Sequence, residues 1–217
     1  GYVWFAFLGA LGAALLVYSV ASVGHGGVSP VKLALAGAVV SALLAAWTTS
    51  LLLLDQNTLD QARFWLAGSL AGRGTDELRL LFPIIAVALV VGLFMGRQIN
   101  LLSLGDDVAA GLGQRTALVR TGAGITVVLL AGSAVAIAGP VAFIGLAIPH
   151  MVRSLVGPDY RWIMLYSLLL GPCLMLAADV VGRVVVRPSE LQVGIVTAAV
   201  GAPFLIYLVR FTKLSEL

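Results

Sequence analysis

The chain is a succession of long apolar runs separated by short polar breaks, and this alternation restricts its fold more than any motif does. About twenty apolar residues suffice to cross the roughly 30 Å hydrocarbon layer of a bilayer as a helix. Only helices and closed barrels can cross, because lipid offers no partner for a backbone N–H or C=O. Hydrophobic residues make up 60% of the 217 residues and charged residues 11%. Soluble domains are nearer to half and a quarter. The expectation is an all-α, polytopic membrane protein forming a single membrane domain over residues 1–217.

The first span runs from about Tyr2 to Val20, with Gly9, Gly12 and Ala13 as a small-residue face for close helix packing. Gly24-His25-Gly26-Gly27 breaks it. Ser29-Pro30 then opens a second span to about Leu54, with Pro30 suited to a first helical turn and Gly37 and Ser41 forming a small pair. Asp55 to Arg79 is too charged to cross, but Leu59, Ala62, Phe64, Trp65 and Leu66 predict a short interfacial helix. The third span is expected over Leu80 to Gly96, with Pro83 in its first turn, and the fourth over Leu118 to Ile137. Gly139-Pro140 breaks the next run. Only about twelve apolar residues, Val141 to Val152, remain before Arg153, which reads as a re-entry and a short or tilted span. Trp162 to Val181 and Leu191 to Val209 complete seven spans, so the two ends are expected on opposite faces.

Asn100 to Gly113 is neither membrane-like nor a plain loop. Leu101, Leu102 and Leu104 lead to Gly105. Asp106 and Asp107 then supply N-terminal acidity for a second short helical turn carrying Val108, Ala109 and Leu112. A helical hairpin that shows apolar residues to water needs a partner; an ordinary turn between spans fits the spacing equally well. Lysines and arginines orient the chain. Lys32, Arg97, Arg115, Arg120, Arg153, Arg161, Arg210 and Lys213 fall on one side. Arg63, Arg73, Arg79, Arg183 and Arg187 fall on the other, accompanied by five carboxylates. The more basic side, with the hairpin and the C-terminus, is expected to face the cytoplasm.

The chemistry-bearing residues are few. There is no phosphate-binding Gly-rich loop and no His or Cys metal signature, and no cofactor, metal site or catalytic group is expected. No basic run follows a phosphate backbone, so the net charge of +3 does not read as nucleic-acid binding. The lone Cys173 reads as a small packing residue. His150 reads as a helix-end residue or a proton relay. Asp179, the one carboxylate inside an apolar run, reads as a functional acid or as half of an ion pair with Arg183 one turn on. Arg183 and Arg187 could instead receive carboxylates from an external protein, with Glu190 close by. Gly1 opens into an apolar helix with no basic leader or cleavage site, and the missing initiator Met suggests a fragment of a longer chain.

Four segments together resemble the iron-siderophore and vitamin B12 permease family of ABC importers. They are Leu101 to Gly113, Gly139-Pro140-Val141-Ala142-Phe143-Ile144-Gly145-Leu146-Ala147-Ile148-Pro149-His150-Met151-Val152-Arg153, Ala178 to Arg183, and Val193 to Phe204. They occur in the family's order and cover nearly the whole chain. Within the family, Arg63 to Leu70 and Val156 to Trp162 look most like a ferric-enterobactin permease subunit.

The resemblance implies about ten spans, of which the first three are missing here. It implies cytoplasmic coupling helices at 100–113, with Leu101, Ser103, Leu104, Gly105, Asp107, Leu112 and Gly113 against an ABC ATPase dimer. Arg183 would pair with a glutamate of a periplasmic or lipid-anchored siderophore-binding protein. Val28, Ser29 and Pro30 would form a cytoplasmic gate. A second permease subunit, a homologue rather than a copy, would complete the path in the inner membrane. Ala34, Gly37, Ala38, Ser41 and Ala45 of the second span fit either a pore lining or a packing face. The implied cargo is a ferric catecholate siderophore, with haem, vitamin B12 and hydroxamate siderophores on the same scaffold. The rival reading is an ion-coupled transporter using Asp179 and His150.

Overall fold

A computed structural model describes residues 2–23, 28–69, 75–185 and 191–211. They form α1 (Tyr2–Ser22), α2 (Pro30–Leu52), α3 (Gln56–Leu66), α4 (Thr75–Leu102), α5 (Asp106–Gly111), α6 (Thr116–Ala138), α7 (Ile144–Val156), α8 (Tyr160–Val185) and α9 (Val193–Phe211). Every described element is helical, as the apolar runs require. Five helices are long and apolar enough to cross a membrane: α1, α2, α4, α6 and α8. The expected count of seven is reached only by adding two shorter apolar segments, α7 and Val193–Pro203 of α9. At 1.5 Å per residue, the thirteen residues of α7 rise only about 20 Å. The rest of that passage is the non-helical stretch 139–143.

Packing follows the chain outward from α6. α4 and α1 flank α6, α2 covers α1, α8 lies on α4, and α7 and α9 lie on α8. Neighbours run antiparallel: Phe7 and Ala10 of α1 meet Gly132 near the end of α6, and Met95 near the end of α4 meets Thr126. The buried apolar set is rich in small residues, including Ala88, Ala136, Ala147 and Ala178. Large side chains such as Leu8, Trp47, Phe94 and Leu169 point outward. That inverted arrangement would be costly in water and is the ordinary one in lipid, where close backbone packing replaces the hydrophobic drive.

Several expectations need correction. α4 begins at Thr75 rather than Leu80 and continues to Leu102 rather than Gly96, so Pro83 lies inside the helix, not in its first turn. A Cβ at Gly9, Gly12 or Gly37 would meet nothing within 4 Å, so no close helix approach occurs at those glycines among the described residues. α1 touches α6 through Phe7 and Ala10 instead. Cys173 is exposed on α8, not packed. The break Gly24-His25-Gly26-Gly27, the loop residues Arg73, Arg187 and Glu190, and Lys213 lie outside the described residues.

Candidate coupling and docking sites

The hairpin forms at one end of the bundle. Its first half is not a separate helix, as expected, but the last turn of α4. Ser103, Leu104 and Gly105 then close it by donating N–H to the carbonyls of Ile99, Leu101 and Leu102. Gly105 has φ 104° and ψ 152°, a backbone that L side chains rarely adopt. Nothing lies within 4 Å of its missing Cβ, so glycine is required there by conformation and not by space. α5 follows with Asp106 and Asp107 in its first turn, and Gly113 at φ 82° ends it. Only Ala109 of α5 is buried. Leu104, Val108 and Leu112, four residues apart, are 60%, 50% and 63% exposed.

Three bonds brace this exposed ridge against the long helices. Gln114 donates its Nε2 to the Gln98 carbonyl at 2.9 Å. Arg120 of α6 reaches back to Asp106 at 2.7 Å. Both side chains of that pair are nearly half exposed, so it contributes little energy and mainly fixes direction. Ser103 donates to the Asn100 carbonyl. The hairpin is therefore a small exposed apolar ridge tied by side chains to α4 and α6.

Asn100 and Asp159 were not among the expected site residues. The Asn100 amide donates to Asp159 Oδ1 at 2.6 Å, and the Tyr160 N–H donates to Asn100 Oδ1 at 2.8 Å. The Asn100 side chain, and then the Arg161 N–H, hold the Asp159 carboxyl below its ordinary value. The only sequence signal was a polar residue at each edge of two breaks, with nothing to pair them.

At the opposite end, Arg183 Nε donates to Asp179 Oδ2 at 2.8 Å. The Asp179 side chain is 19% exposed and that of Arg183 46%. Asp179 is thus engaged in the ion pair weighed from the sequence, and the Arg183 side chain stays partly exposed. His150 sits on α7 between Ile148 and Val152, which pack with Ile163 near the α7–α8 turn. Asp179 lies at the far end of α8, so the two do not form a titrating pair.

The residues expected as a gate, Val28, Ser29 and Pro30, lie at the start of α2. Ser29 caps α2, accepting the Lys32 N–H at 3.3 Å, and Pro30 takes the first helical position. Among the described residues no cluster of three or more His, Cys, Asp or Glu could hold a metal.

The sequence did not indicate a joint where backbones touch. The Ser69 N–H donates to the Ala138 carbonyl at 2.9 Å and the Gly194 N–H to the Gly68 carbonyl at 3.3 Å. A Cβ on Gly139 would stand 2.5 Å from the Trp65 carbonyl oxygen, and one on Gly194 would overlap that of Ala67. Phe143, at φ 68° the one described non-glycine residue with positive φ, sits against Gly201, whose Cβ would come within 2.6 Å of that of Phe143.

Comparison with known proteins matches residues 1–211 to the FecCD transport family model. The probable siderophore transport system permease protein YfiZ of Bacillus subtilis is 48% identical over 96% of this chain and 62% of its own length. The ferric enterobactin transport system permease protein FepD of Escherichia coli is 47% identical over 94% of this chain and 61% of its own. The iron(3+)-hydroxamate import system permease protein FhuB of Bacillus subtilis is 43% identical, over 97% and 54%. A solved structure, described as an inward-facing conformation of an ABC transporter assigned to the metal-chelate type, superposes with a TM-score of 0.83 at 29% identity. The match covers 98% of this chain and 72% of that one. The chain thus spans less than two thirds of the length of these three relatives.

Proposed function

The chain belongs to the FecCD transport family, and from that premise we propose that it is part of the permease subunit of an ATP-driven importer that carries a ferric siderophore inward across the plasma membrane. The observation that carries this reading is the ridge of Leu104, Val108 and Leu112. It is an apolar surface at the polar end of a membrane bundle, braced on two membrane helices. Such a ridge suits insertion into a cleft of a cytoplasmic ATPase dimer. Closure of that dimer on ATP would push α4 and α6 as levers, tilting the helices beside them. The permease has no catalytic role of its own; hydrolysis belongs to the partner.

Orientation follows from charge. The hairpin end gathers Arg97, Arg115, Arg120, Arg153 and Arg161, so it and the end of α9 face the cytoplasm. Arg183 then lies at the outer end, where its partly exposed side chain can also meet a carboxylate of a siderophore-binding protein. A second permease subunit, a homologue of this one, completes the path, and Val28 to Pro30 lie at its cytoplasmic mouth. A catecholate of the enterobactin kind is the proposed cargo, supported by the likeness to the ferric enterobactin permease FepD.

Proteoliposomes holding the full-length permease, its partner subunit and the ATPase test this reading. Radiolabelled ferric enterobactin should accumulate only with binding protein outside and ATP inside. Preferred uptake of a ferric hydroxamate or haem would keep the importer and change the cargo. Uptake driven by an ion gradient without the ATPase would reject the importer.

A further inference from the structure

The Asn100–Asp159 contact joins residues fifty-nine positions apart, and it completes the start of α8. The first four N–H groups of any helix lack partners within it. In α8 all four are met. The Tyr160 N–H goes to the Asn100 side chain, the Arg161 N–H to the Asp159 side chain at 2.9 Å, and those of Trp162 and Ile163 to the Asp159 carbonyl. One of the four partners therefore belongs to α4, two residues before that helix ends. One turn earlier, α4 presents Gly96, and a Cβ there would stand 3.0 Å from Arg161 Cα. Backbone contact and a two-way carboxamide bridge together leave α4 and α8 little freedom to slide at this end.

α8 then runs unbroken for twenty-six residues, about 39 Å at 1.5 Å per residue, to the end that carries Asp179 and Arg183. Pro172 removes one backbone bond on the way, and the helix continues through it.

We propose that Asn100 and Asp159 are positioning residues forming the joint through which the coupling hairpin and the Arg183 end of α8 sense one another. Docking of the binding protein at Arg183 then reaches the ATPase through α8, this clamp and the end of α4. The proposal rests on the permease reading given above.

The test uses the full-length permease with its ATPase and binding protein in proteoliposomes. The readout is the ratio of binding-protein-stimulated to basal ATP hydrolysis. Asn100→Asp sets two carboxylates against each other and should lower that ratio about fivefold or more, the range of ordinary allosteric coupling. Asn100→Ala removes the bridge without adding charge and should lower it less. Combining Asn100→Asp with Asp159→Asn rebuilds the bridge between α4 and α8 with donor and acceptor exchanged. The carboxylate at position 100 takes the Tyr160 N–H and the amide at 159, while the Arg161 N–H, which shares Oδ1 with the Asn100 amide in the wild type, gives up its bond. The double variant should recover the wild-type ratio, which a merely local stability role would not require.

An unchanged ratio in Asn100→Asp overturns the proposal, as does a double variant no better than the single one. If Asn100→Asp does not insert, an unchanged ratio in Asn100→Ala overturns it equally. A wild-type complex whose hydrolysis ignores the binding protein would overturn the permease reading and this inference together. Normal stimulation of the wild type with an indifferent Asn100→Asp would overturn the clamp alone.

Discussion

The two ends of the bundle are built on opposite plans. At the hairpin end, side chains supply most of the joins, Gln114 to Gln98, Arg120 to Asp106 and Asn100 to Asp159, with one backbone approach at Gly96. The turn glycines Gly105 and Gly113 stand in open space. At the other end, backbones touch directly, and Gly139, Gly182 and Gly194 exist because any Cβ would strike a carbonyl. The first end can carry an outward apolar ridge and still hold its shape, which suits docking. The second is a locked joint between 66–69, 138–141 and the start of α9, which suits a fixed pivot.

Breaking the locked joint should have the largest effect. Gly139→Val adds both a clash with the Trp65 carbonyl and a side chain at φ 73°. Overpacking alone costs about 1–3 kcal/mol, and a side chain in this glycine-only backbone region adds about 1–3 kcal/mol. A lower melting temperature in detergent and reduced yield of the folded permease are expected, with uptake falling in proportion.

Gly105→Leu should separate folding from function. Its cost is the glycine-only backbone alone, about 1–3 kcal/mol, because the space is open. Insertion should persist and the melting temperature should fall less than in Gly139→Val, while ATP-driven uptake is lost. Full uptake would reject the docking role of the turn.

A smaller and more specific loss is expected for Arg183→Glu. It places a carboxylate beside Asp179 and removes the Arg183 guanidinium. Affinity for the binding protein should drop, with recovery when the facing glutamate is replaced by arginine. Unchanged affinity would remove Arg183 from the docking surface.

The smallest effect concerns pH. The folded Asp159 carboxyl lies below its ordinary 3.8. Its contribution is therefore present above that value and is lost as pH falls through the folded value. Melting curves of the wild type and Asp159→Asn should differ at neutral pH and converge in acid below 3.8. A constant difference down to strong acid would contradict the hydrogen-bonded carboxylate.

The contrast between the ends also explains what the sequence could reveal. The spans were legible because hydropathy is a local property, and the Pro30 start of α2 because proline at a first turn is a local signal. The ends of α4 were misjudged because polar residues such as Asp76, Glu77 and Arg97 look like loop but continue the helix beyond the apolar stretch. Gly105 announced a turn, and the ridge of Leu104 and Leu112 followed from helical spacing. The clamp and the glycine joint had no local signature. Asn100 and Asp159 are paired only by the fold, and Gly194 is an ordinary small residue until Ala67 lies against it.

The most direct test of the docking ridge is photocrosslinking from two positions in the full-length permease within membranes that also contain its ATPase. One probe replaces Leu112 on the exposed ridge, and the other replaces Val185 at the far end of α8. The account predicts that the Leu112 probe captures a nucleotide-binding subunit in an ATP-dependent way and that the Val185 probe does not. Capture of only lipid or neighbouring permease at Leu112, or equal capture of the ATPase from both positions, would contradict it.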